Sequence, residues 1–458
     1  MKHPLDECLA SVLPPGSLYS VGGRVRDEVR HALQAVPLTT QDQDYVVTGL
    51  TLVELTRRLE PLGRVDLVGA SFAVMKLSTE FGIVDVALPR QERSSGTGHR
   101  EFAVESAVDI PIEVDLARRD FRMNMLARAL PEGRLVDPYG GVADIEARRI
   151  DILTPQAFAE DPLRMLRACQ FAARFAYAPT QGARVALQEA APLVSTVAAE
   201  RVGEELAKML RLAPRPSVGL ELMRETGLLA RIWPELLEGV GVPQNEWHAF
   251  EVYRHNLETV DATPPGDLIL RLAALLHDVA KPRVKDGPHF YRHEHEGETL
   301  VTQMLQRVRF PNDVVAAVGH LVRQHMFTAD PTLSDAGIRR FIRRVGPANV
   351  GRQFALREAD IIGSGLPKRD DSNEAFARRV LEELERKPAF SLKDLRIDGR
   401  TVVTIMRRLN VVGDDFTGDA RVGAALQHAF EQVTDCPDDN EPSKLAALIE
   451  RYFKAHPA

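Results

Sequence analysis

The chain has 458 residues, of which 44% are hydrophobic, and this is enough for two to four domains with large buried cores. No apolar run approaches the roughly 20 residues that span a bilayer, and residues 1–11 carry acids in place of the apolar core of a secretory signal. The net charge of −7 argues against a surface coated in basic charge, so an RNA partner would have to be met by local arginine patches.

The first part of the chain mixes strand-like and helical segments. Apolar, β-branched runs predict strands at residues 18–21, 45–48, 72–77 and 83–88, and residues 52–59 have helical spacing. This mixture predicts an α/β or α+β head that extends to about residue 150.

Strand signals nearly vanish after Ile152. Apolar residues at three- and four-residue spacing predict helices over residues 157–175 and 184–210. The segments Pro214-Arg215-Pro216 and Lys387-Pro388 interrupt the helical pattern. We therefore predict four domains: a catalytic head at 1–150, a helical neck at 151–215, a helical body at 216–386 and a C-terminal tail at 387–458.

The most informative motif is a glycine pair followed by an Asp-x-Asp pattern. Gly22 and Gly23, with Arg26 close behind, suit a backbone that approaches a triphosphate closely. Asp42 and Asp44 open a strand-like run, where alternate side chains point to one face and could together hold two divalent cations. Turn or capping aspartates would explain such a pair in isolation, but the order of the two motifs indicates a nucleotide-polymerising active site.

Six blocks in order resemble the class II tRNA nucleotidyltransferases, the family of CCA-adding enzymes and bacterial poly(A) polymerases. They are residues 21–27, 42–47, 68–74, 118–124, 160–167 and 200–206. The resemblance implies an α+β fold with a polymerase-β-like head, followed by an all-helical neck, body and tail. It also implies a template-independent enzyme that adds or repairs the 3′ CCA of tRNA from CTP and ATP with Mg²⁺.

The resemblance assigns roles to the residues of the head. Asp42 and Asp44 would hold Mg²⁺, and Asp85 would be the general base or a further ligand, although an exposed strand-face aspartate explains Asp85 equally well. The glycine pair and Arg26 would cradle the triphosphate. The spacer between Asp27 and Asp42 is longer than is usual in the family, which affects the expected local geometry.

The block at 118–124 supplies further nucleotide contacts in the family. Arg119 and Asp120 match its Arg-Arg-Asp pattern, in which the arginine reaches the phosphates or sugar of the nucleotide. Asn124 is four residues beyond Asp120, on the same face of a predicted helix, and could touch the ribose. Arg24 and Arg118 are at least as well explained as solvated surface residues.

Base choice without a template requires protein side chains, and Asp161 with Arg164 provides them. Aspartate accepts from an exocyclic amine and arginine donates to a ring acceptor, so the pair can accept C and A and reject U and G. On a helix the two residues would be neighbours, and an intrahelical ion pair is the alternative. Arg167 extends the same face and is predicted to contact phosphate.

Residues 89–99 resemble the flexible loop of the family that accompanies addition of the terminal A.

A second motif set follows the order of an HD phosphohydrolase domain. Its members are His255, His277, Asp278, His293 and His325. Neutral histidines and a carboxylate suit a transition metal better than magnesium, and would support hydrolysis of phosphomonoesters or cyclic phosphodiesters. His295 competes with His293 for one position, and Asp330 is a further candidate ligand. A vestigial domain that only binds RNA is the alternative.

Arginine clusters and the C-terminal segments complete the predicted RNA-binding surface. The clusters are Arg307 and Arg309; Arg339, Arg340, Arg343 and Arg344; and Arg378 and Arg379. Solvated helix faces explain each cluster equally well; as a set they could meet a tRNA. Residues 394–399 and 440–445 resemble the RNA-binding tail of the family. Three cysteines without metal-ligand spacing or an even disulfide framework favour the cytoplasm, and no protein partner is predicted.

Three other functions are compatible with these motifs. A poly(A) polymerase, or an enzyme that adds only CC or only A, would carry the same blocks. An HD phosphohydrolase with a degenerate head belongs to a different class, but the proposed head carboxylates are all present. A pure RNA-binding protein is disfavoured because it needs no paired metal carboxylates.

Overall fold

A computed structural model describes residues 3–38, 43–68, 74–94, 102–105, 108–367 and 370–456. The chain divides into two compact units, one of residues 1–237 with 307–310 and the other of residues 238–306 with 311–458. The first unit contains a mixed sheet with helices, and the second is helical. The predicted fold class, an α+β head followed by helices, is therefore confirmed.

Strands are concentrated in the first unit. They are β1 (Leu18–Val21), β2 (Asp44–Val47), β3 (Arg64–Val68), β4 (Val74–Thr79), β5 (Gly82–Ala87), β6 (Gln91–Ser94), β7 (Phe102–Glu105), β8 (Ala127–Leu130), β9 (Leu135–Val136), β10 (Arg149–Ile150) and β11 (Ala178–Pro179). Seven of them form one sheet in the order β3-β4-β5-β2-β1-β8-β9. The β2–β5 pair is parallel and the other pairs of this sheet are antiparallel.

Helices of the first unit pack around this sheet and continue beyond it. They are α1 (Pro4–Val12), α2 (Gly23–Gln34), α3 (Leu52–Leu59), α4 (Ile112–Ala117), α5 (Gly141–Glu146), α6 (Ala157–Glu160), α7 (Leu163–Phe175), α8 (Gln181–Ala190), α9 (Ala199–Leu212), α10 (Pro216–Glu225), α11 (Leu229–Ile232) and α12 (Pro234–Leu237). Short 3-10 helices lie at Glu60–Leu62, Arg122–Asn124 and Ala191–Thr196.

The second unit consists of helices. They are α13 (Val252–Asp261), α14 (Leu268–Leu276), α15 (His293–Arg307), α16 (Asn312–Gln324), α17 (Asp335–Val345), α18 (Val350–Gly363), α19 (Ser372–Glu385), α20 (Gly399–Arg408), α21 (Ala420–Asp435) and α22 (Pro442–Ala455). Its 3-10 helices are Lys281–Val284, Pro347–Asn349, Leu392–Asp394 and Pro437–Asp439. Within the ranges that the structure describes, no helix combines the length and apolarity needed to cross a membrane.

Strand β2 is buried on both faces, which explains its uninterrupted apolar sequence. Tyr45 and Val47 belong to the core formed with α1 and α3 on one face, while Val46 packs against α4 on the other. Side chains alternate along a strand, so Asp44 lies on the same face as Val46, at the point where β2 begins. The core therefore fixes the face to which the Asp44 carboxylate points.

Several predicted elements agree with the structure and others are wrong. Strands β1, β2 and β5 match within a residue, and α3 matches in full. Strand β4 begins at Val74, and the earlier residues of its predicted range lie outside the described residues.

The predicted helix over 157–175 is broken at Asp161, because the ring of Pro162 disfavours a helical conformation in the residue before it. The predicted helix over 184–210 is likewise replaced by α8, a 3-10 helix that has Pro192 in its first turn, and α9. The four predicted domains and the three boundaries between them stay predictions.

Candidate active site

Two carboxylates meet at the centre of the sheet. Strands β2 and β5 run parallel, and their register places Asp44 directly beside Asp85. Paired residues on neighbouring strands project from the same face, so two acidic side chains stand side by side at the start of β2. The backbone N–H of Asp85 donates to the carbonyl of Gln43 at 3.3 Å. Asp42, the other predicted metal ligand, lies outside the described residues.

The glycine turn touches this carboxylate pair. Gly22 connects β1 to α2 with φ +74°, a backbone conformation that a side chain rarely adopts. A Cβ atom at Gly22 would lie 3.1 Å from Asp44 Oδ2 and 3.3 Å from Arg119 Nη1. Gly23 is the first residue of α2. Asp44 and Arg119 therefore both lie against the Gly22 turn, where a phosphate would approach the backbone closely.

A buried carboxylate holds Arg119 in place. Asp115, on α4, accepts from Arg119 Nη2 at 3.4 Å and from Arg118 Nε at 2.9 Å. Arg118 is thus tied to the same carboxylate. The register also places Lys76 beside Asp85 on strand β4, a basic side chain on the carboxylate face that the sequence analysis did not single out. Only the register of the sheet could identify it.

A chain of buried polar contacts links the other predicted nucleotide-binding residues. Arg26 donates to Asp27 at 2.8 Å and to Asn124 at 3.0 Å. Asn124 donates to Asp120 at 2.8 Å, and Asp120 pairs with Arg167 at 2.6 Å. Asn124 lies in a 3-10 helix and not on a helix with Asp120, so the predicted shared helical face is wrong although the two residues are in contact.

The Asp120 carboxyl is ionised in this setting. Burial alone would raise its pKa, but the charge of Arg167 and hydrogen bonds from Asn124 and Arg167 bring the pKa below its usual value.

The guanidinium of Arg26 also lies 4.8 Å from the centre of the Phe175 ring. The nucleotide contacts predicted for Arg26, Asp120, Asn124 and Arg167 stay predictions.

The predicted base-selecting pair has a different geometry from the one expected. Asp161 is extended, with φ −135° and ψ 92°, and its carboxylate accepts from the backbone N–H of Leu163 at 3.1 Å. Arg164, in the first turn of α7, donates to the carbonyl groups of Ala157 and Arg118. The two residues are therefore not neighbours on one helix, because the helix breaks before Pro162. Their role in base choice stays a prediction.

In the second unit, five histidines and two aspartates form a buried cluster. Asp278 Oδ2 lies 3.3 Å from Nε2 of both His255 and His277. Asp278 Oδ1 lies 3.2 Å from His293 Nε2 and 3.6 Å from His325 Nε2. One carboxylate thus serves two pairs of histidines, and the structure brings together all five residues that the sequence predicts for this site.

The imidazole rings are oriented as metal ligands. In His277, His293 and His325, Nδ1 lies within hydrogen-bonding distance of a backbone carbonyl, at 2.9, 2.7 and 2.7 Å. Donation from Nδ1 directs Nε2 into the cluster, where it can bind a cation in place of a proton. Asp278 Oδ1 is buried and accepts no hydrogen bond. This donor set fits one or two divalent cations.

Asp360 completes the cluster and was missed by the sequence analysis. Its Oδ1 lies 3.2 Å from His255 Nε2, and His248 lies beside the same ring. No local pattern marks Asp360, which comes from α18. Asp330, the predicted further ligand, instead accepts from Thr332 on an exposed turn, so that prediction is wrong.

Between the two candidate histidines on α15, the structure favours His293 over His295. The His295 side chain is 39% exposed and contacts Glu294, whereas His293 lies in the cluster.

The cluster attracts positive charge. Burial would lower the pKa of His277, but Asp278 and Asp360 raise it to about 10. Burial, Lys281 and His255 lower the pKa of His248 to about 3. A cavity of about 1260 Å³ opens onto the cluster and reaches the aromatic rings of Trp247 and Tyr291. The site is therefore accessible to a ligand larger than a metal ion.

Most arginines of the predicted RNA-binding clusters pair with acidic residues. The pairs are Arg307–Glu235, Arg309–Glu200, Arg339–Glu383, Arg340–Asp435, Arg343–Glu431 and Arg379–Asp335. Arg339 is buried, so it is not part of a solvated face. Arg24 is also buried, and its explanation as a surface residue is wrong.

Three family models match the chain. They are the poly A polymerase head domain at residues 18–151, the probable RNA and SrmB-binding site of polymerase A at 180–239, and the HD domain at 248–386. With the carboxylate pair and the histidine cluster, these matches define the class of protein: a nucleotidyltransferase head joined to an HD domain.

Close relatives identify the family. The chain is 39% identical to the multifunctional CCA protein of Azoarcus sp. (strain BH72) over 317 residues, which cover 67% of this chain and 73% of that protein. It is 35% identical to the multifunctional CCA protein of Cupriavidus metallidurans over 354 residues, 74% and 82% of the two chains. The chain belongs to the multifunctional CCA protein family of tRNA nucleotidyltransferases, and it is an enzyme. Membership of this family and the HD domain imply dependence on divalent metal.

Solved structures share the fold. The Bacillus stearothermophilus CCA-adding enzyme in complex with CTP matches with a TM-score of 0.67 and 20% identity, covering 100% of this chain and 99% of that one. The Thermotoga maritima CCA-adding enzyme complexed with tRNA matches with a TM-score of 0.56 and 18% identity, covering 98% and 96%. At this level of identity the similarity supports the fold, and site roles depend on the geometry described above.

Proposed function

We propose that this chain adds or repairs the 3′-terminal CCA of tRNA from CTP and ATP, in the cytoplasm, with Mg²⁺ held by Asp44 together with Asp42. The observation that carries the proposal is the Asp44–Asp85 pair, which lies against the Gly22 turn and Arg119. Carboxylate oxygens are the donors that Mg²⁺ prefers. When bound, the cation would neutralise charge on the triphosphate and on the leaving pyrophosphate.

The protein side chains would orient the reactants. The backbone at Gly22 and Gly23 would approach the triphosphate, because a turn without side chains leaves the N–H groups accessible. Arg119, which donates to Asp115 and lies beside the Gly22 turn, would donate to the phosphates. Asp85 would accept the proton of the 3′-hydroxyl of the tRNA, because it stands beside Asp44 without lying in the Gly22 turn.

Base choice would be made by Asp161 and Arg164. The Arg164 guanidinium is held by two backbone carbonyl groups, and Asp161 precedes α7 with an extended backbone and a carboxylate that accepts from the N–H of Leu163. Both observations support a preformed edge that accepts an amine beside a ring acceptor, as in C and A. The loop that would favour addition of the terminal A includes residues 95–99, which lie outside the described residues.

Nucleotide incorporation into three tRNA transcripts tests which nucleotides the enzyme adds and how many. The transcripts end before CCA, after C and after CC, and receive CTP and ATP singly and together. One complete CCA followed by a stop is the expected result. Activity only with CTP on the first two, or only with ATP on the last, would indicate a CC-adding or A-adding enzyme. Long A tails on unrelated RNA would indicate a poly(A) polymerase.

A second activity, metal-dependent phosphohydrolysis, is favoured by the intact HD cluster. Histidine-rich donors suit a transition metal, which would supply a hydroxide for attack on phosphomonoesters or cyclic phosphodiesters. Asp44→Ala should abolish nucleotide incorporation and spare phosphatase activity, and His277→Ala should do the reverse. Asp66→Ala, on the edge strand β3 of the same sheet, is the matched carboxylate control. If Asp44→Ala retains incorporation, the metal-site assignment is wrong.

A further inference from the structure

A buried polar group lies on the sheet face opposite to Asp44, and the reaction as described does not use it. Its members are Asp6 on α1, Arg24 on α2, Gln43 just before β2 and Tyr45 on β2. Asp6, Arg24 and Tyr45 are 2%, 7% and 1% exposed. These four side chains are called the Arg24 group. They come from three different elements, so their meeting is a property of the tertiary fold.

The Arg24 guanidinium is the centre of this group. It donates to both oxygens of Asp6, at 2.8 and 2.6 Å. It also donates to Gln43 Oε1 at 2.7 Å and to the hydroxyl oxygen of Tyr45 at 3.2 Å. The Tyr45 hydroxyl in turn donates to Asp6 Oδ1 at 2.7 Å. One guanidinium and one carboxylate thus hold the two residues that flank Asp44 in the chain.

The charges of this group persist at neutral pH. Burial alone would raise the pKa of Asp6, but hydrogen bonds from Arg24 and Tyr45 hold it below its usual value. A bidentate arginine–carboxylate pair has a fixed planar geometry that lysine cannot reproduce. The group is therefore a rigid attachment between α1, α2 and β2.

This attachment determines where the Asp44 carboxylate stands. Side chains alternate along a strand, so fixing Gln43 and Tyr45 on one face fixes Asp44 on the other. Arg24 follows Gly22 by two residues, and the Gly22 turn meets Asp44 Oδ2 on the opposite face of the strand. Residues at and just before the start of α2 therefore contact the start of β2 on both faces of the strand: Arg24 on the Tyr45 face and the Gly22 turn on the Asp44 face. The Gln43 carbonyl also accepts the N–H of Asp85, so the second carboxylate is aligned by the same strand end.

We propose that Arg24, held by Asp6, is a positioning residue that fixes the Asp44 carboxylate against the Gly22 turn, and thereby sets the affinity for the divalent cation and the turnover of the transferase site. This inference rests on the proposed role of Asp44 as a metal ligand. A positioning role predicts a change in metal dependence, whereas a merely structural role predicts only a loss of stability.

The double variant Asp6→Leu/Arg24→Met separates these two roles. Removing Arg24 alone leaves a buried carboxylate without its partner, which is strongly destabilising, but removing both charges is often near neutral for stability. Incorporation of CTP into tRNA is measured over a range of Mg²⁺ concentrations. Outer groups that orient metal ligands typically affect affinity or activity by about 10- to 100-fold, so the half-saturating Mg²⁺ concentration should rise about tenfold and kcat should fall about tenfold. The KM for CTP should change by less than about twofold, since the triphosphate contacts are retained.

Two further variants serve as conservative rescue and matched control. Arg24→Lys keeps the charge but cannot hold Asp6 and Gln43 together, so its magnesium dependence should lie between wild type and the double variant. Arg58→Met removes another arginine of the head, which ties α3 to the carbonyl of Val12 on α1 at 3.0 Å. It should lower stability without changing the magnesium dependence. If the double variant does not fold, Tyr45→Phe is measured in its place. Its half-saturating Mg²⁺ concentration should rise about threefold.

The outcomes distinguish this inference from the proposed function. A folded double variant with wild-type kcat and magnesium dependence overturns the positioning role. Loss of stability with unchanged magnesium dependence, as expected for Arg58→Met, overturns it as well. Asp44→Asn is the reference variant for the metal-ligand role of Asp44. If it retains nucleotide incorporation, the proposed function is wrong, and the inference about Arg24 is wrong with it. If Asp44→Asn abolishes incorporation while the double variant is normal, only the inference about Arg24 is wrong.

Discussion

Gly22→Ala tests the close approach of the glycine turn to the Asp44 carboxylate. The φ of +74° and ψ of −141° at Gly22 lie in a region that is almost confined to glycine, where a side chain costs about 1–3 kcal/mol. The added methyl group would also lie 3.1 Å from Asp44 Oδ2 and 3.3 Å from Arg119 Nη1. Both groups would have to move by a few tenths of an ångström.

The effect on catalysis follows from that displacement. A misplacement of about 1 Å can cost about 100-fold in rate, so a shift of a few tenths should lower kcat/KM for CTP about four- to tenfold. Gly16→Ala is the matched control: Gly16 has φ +79° with open space around its Cβ direction. It should show a similar loss of stability in urea unfolding and unchanged incorporation. If Gly22→Ala incorporates CTP as fast as Gly16→Ala, the contact between the turn and Asp44 has no role in catalysis.

Four further predictions concern other parts of the two sites. Asp161→Ala should lower the preference for CTP over UTP about tenfold or more, since each good base-edge pair discriminates by about 1–3 kcal/mol; equal preference in wild type and variant would contradict the proposed base choice. Arg167→Met should destabilise the fold by about 1.5–3 kcal/mol through loss of charged hydrogen bonds to Asp120. The folded pKa of Asp120 lies below its unfolded value, so its contribution to stability is present above the unfolded pKa and lost as the pH falls through the folded value. Asp120→Asn should therefore lose less stability than wild type as the pH falls below the ordinary range of a carboxyl pKa in acid unfolding, and an identical pH dependence would refute the assignment. Asp360→Asn should weaken metal binding at the HD cluster about tenfold or more in a chelator competition, with CTP incorporation unchanged; wild-type metal affinity would exclude Asp360 as a ligand.

The sequence by itself determined the family, the fold class and the types of chemistry. The reason is that the decisive signals are local in the chain. The glycine pair, the Asp-x-Asp pattern and the His-Asp dipeptide are contiguous or nearly so, and the apolar run of β2 identifies a buried strand without knowledge of its neighbours. Strand and helix periods likewise placed β1, β2, β5 and α3 within a residue.

Only the tertiary structure decided which residues meet. Asp85 stands beside Asp44 because β5 pairs in parallel with β2, and nothing in the sequence of β5 specifies that register. Asp360 joins the histidine cluster from a helix far along the chain. Arg24 is buried because Asp6, on α1, supplies the opposite charge. In each case, helix packing or sheet order places the partner, so a charged residue with no local partner looks like a surface residue until the fold is known.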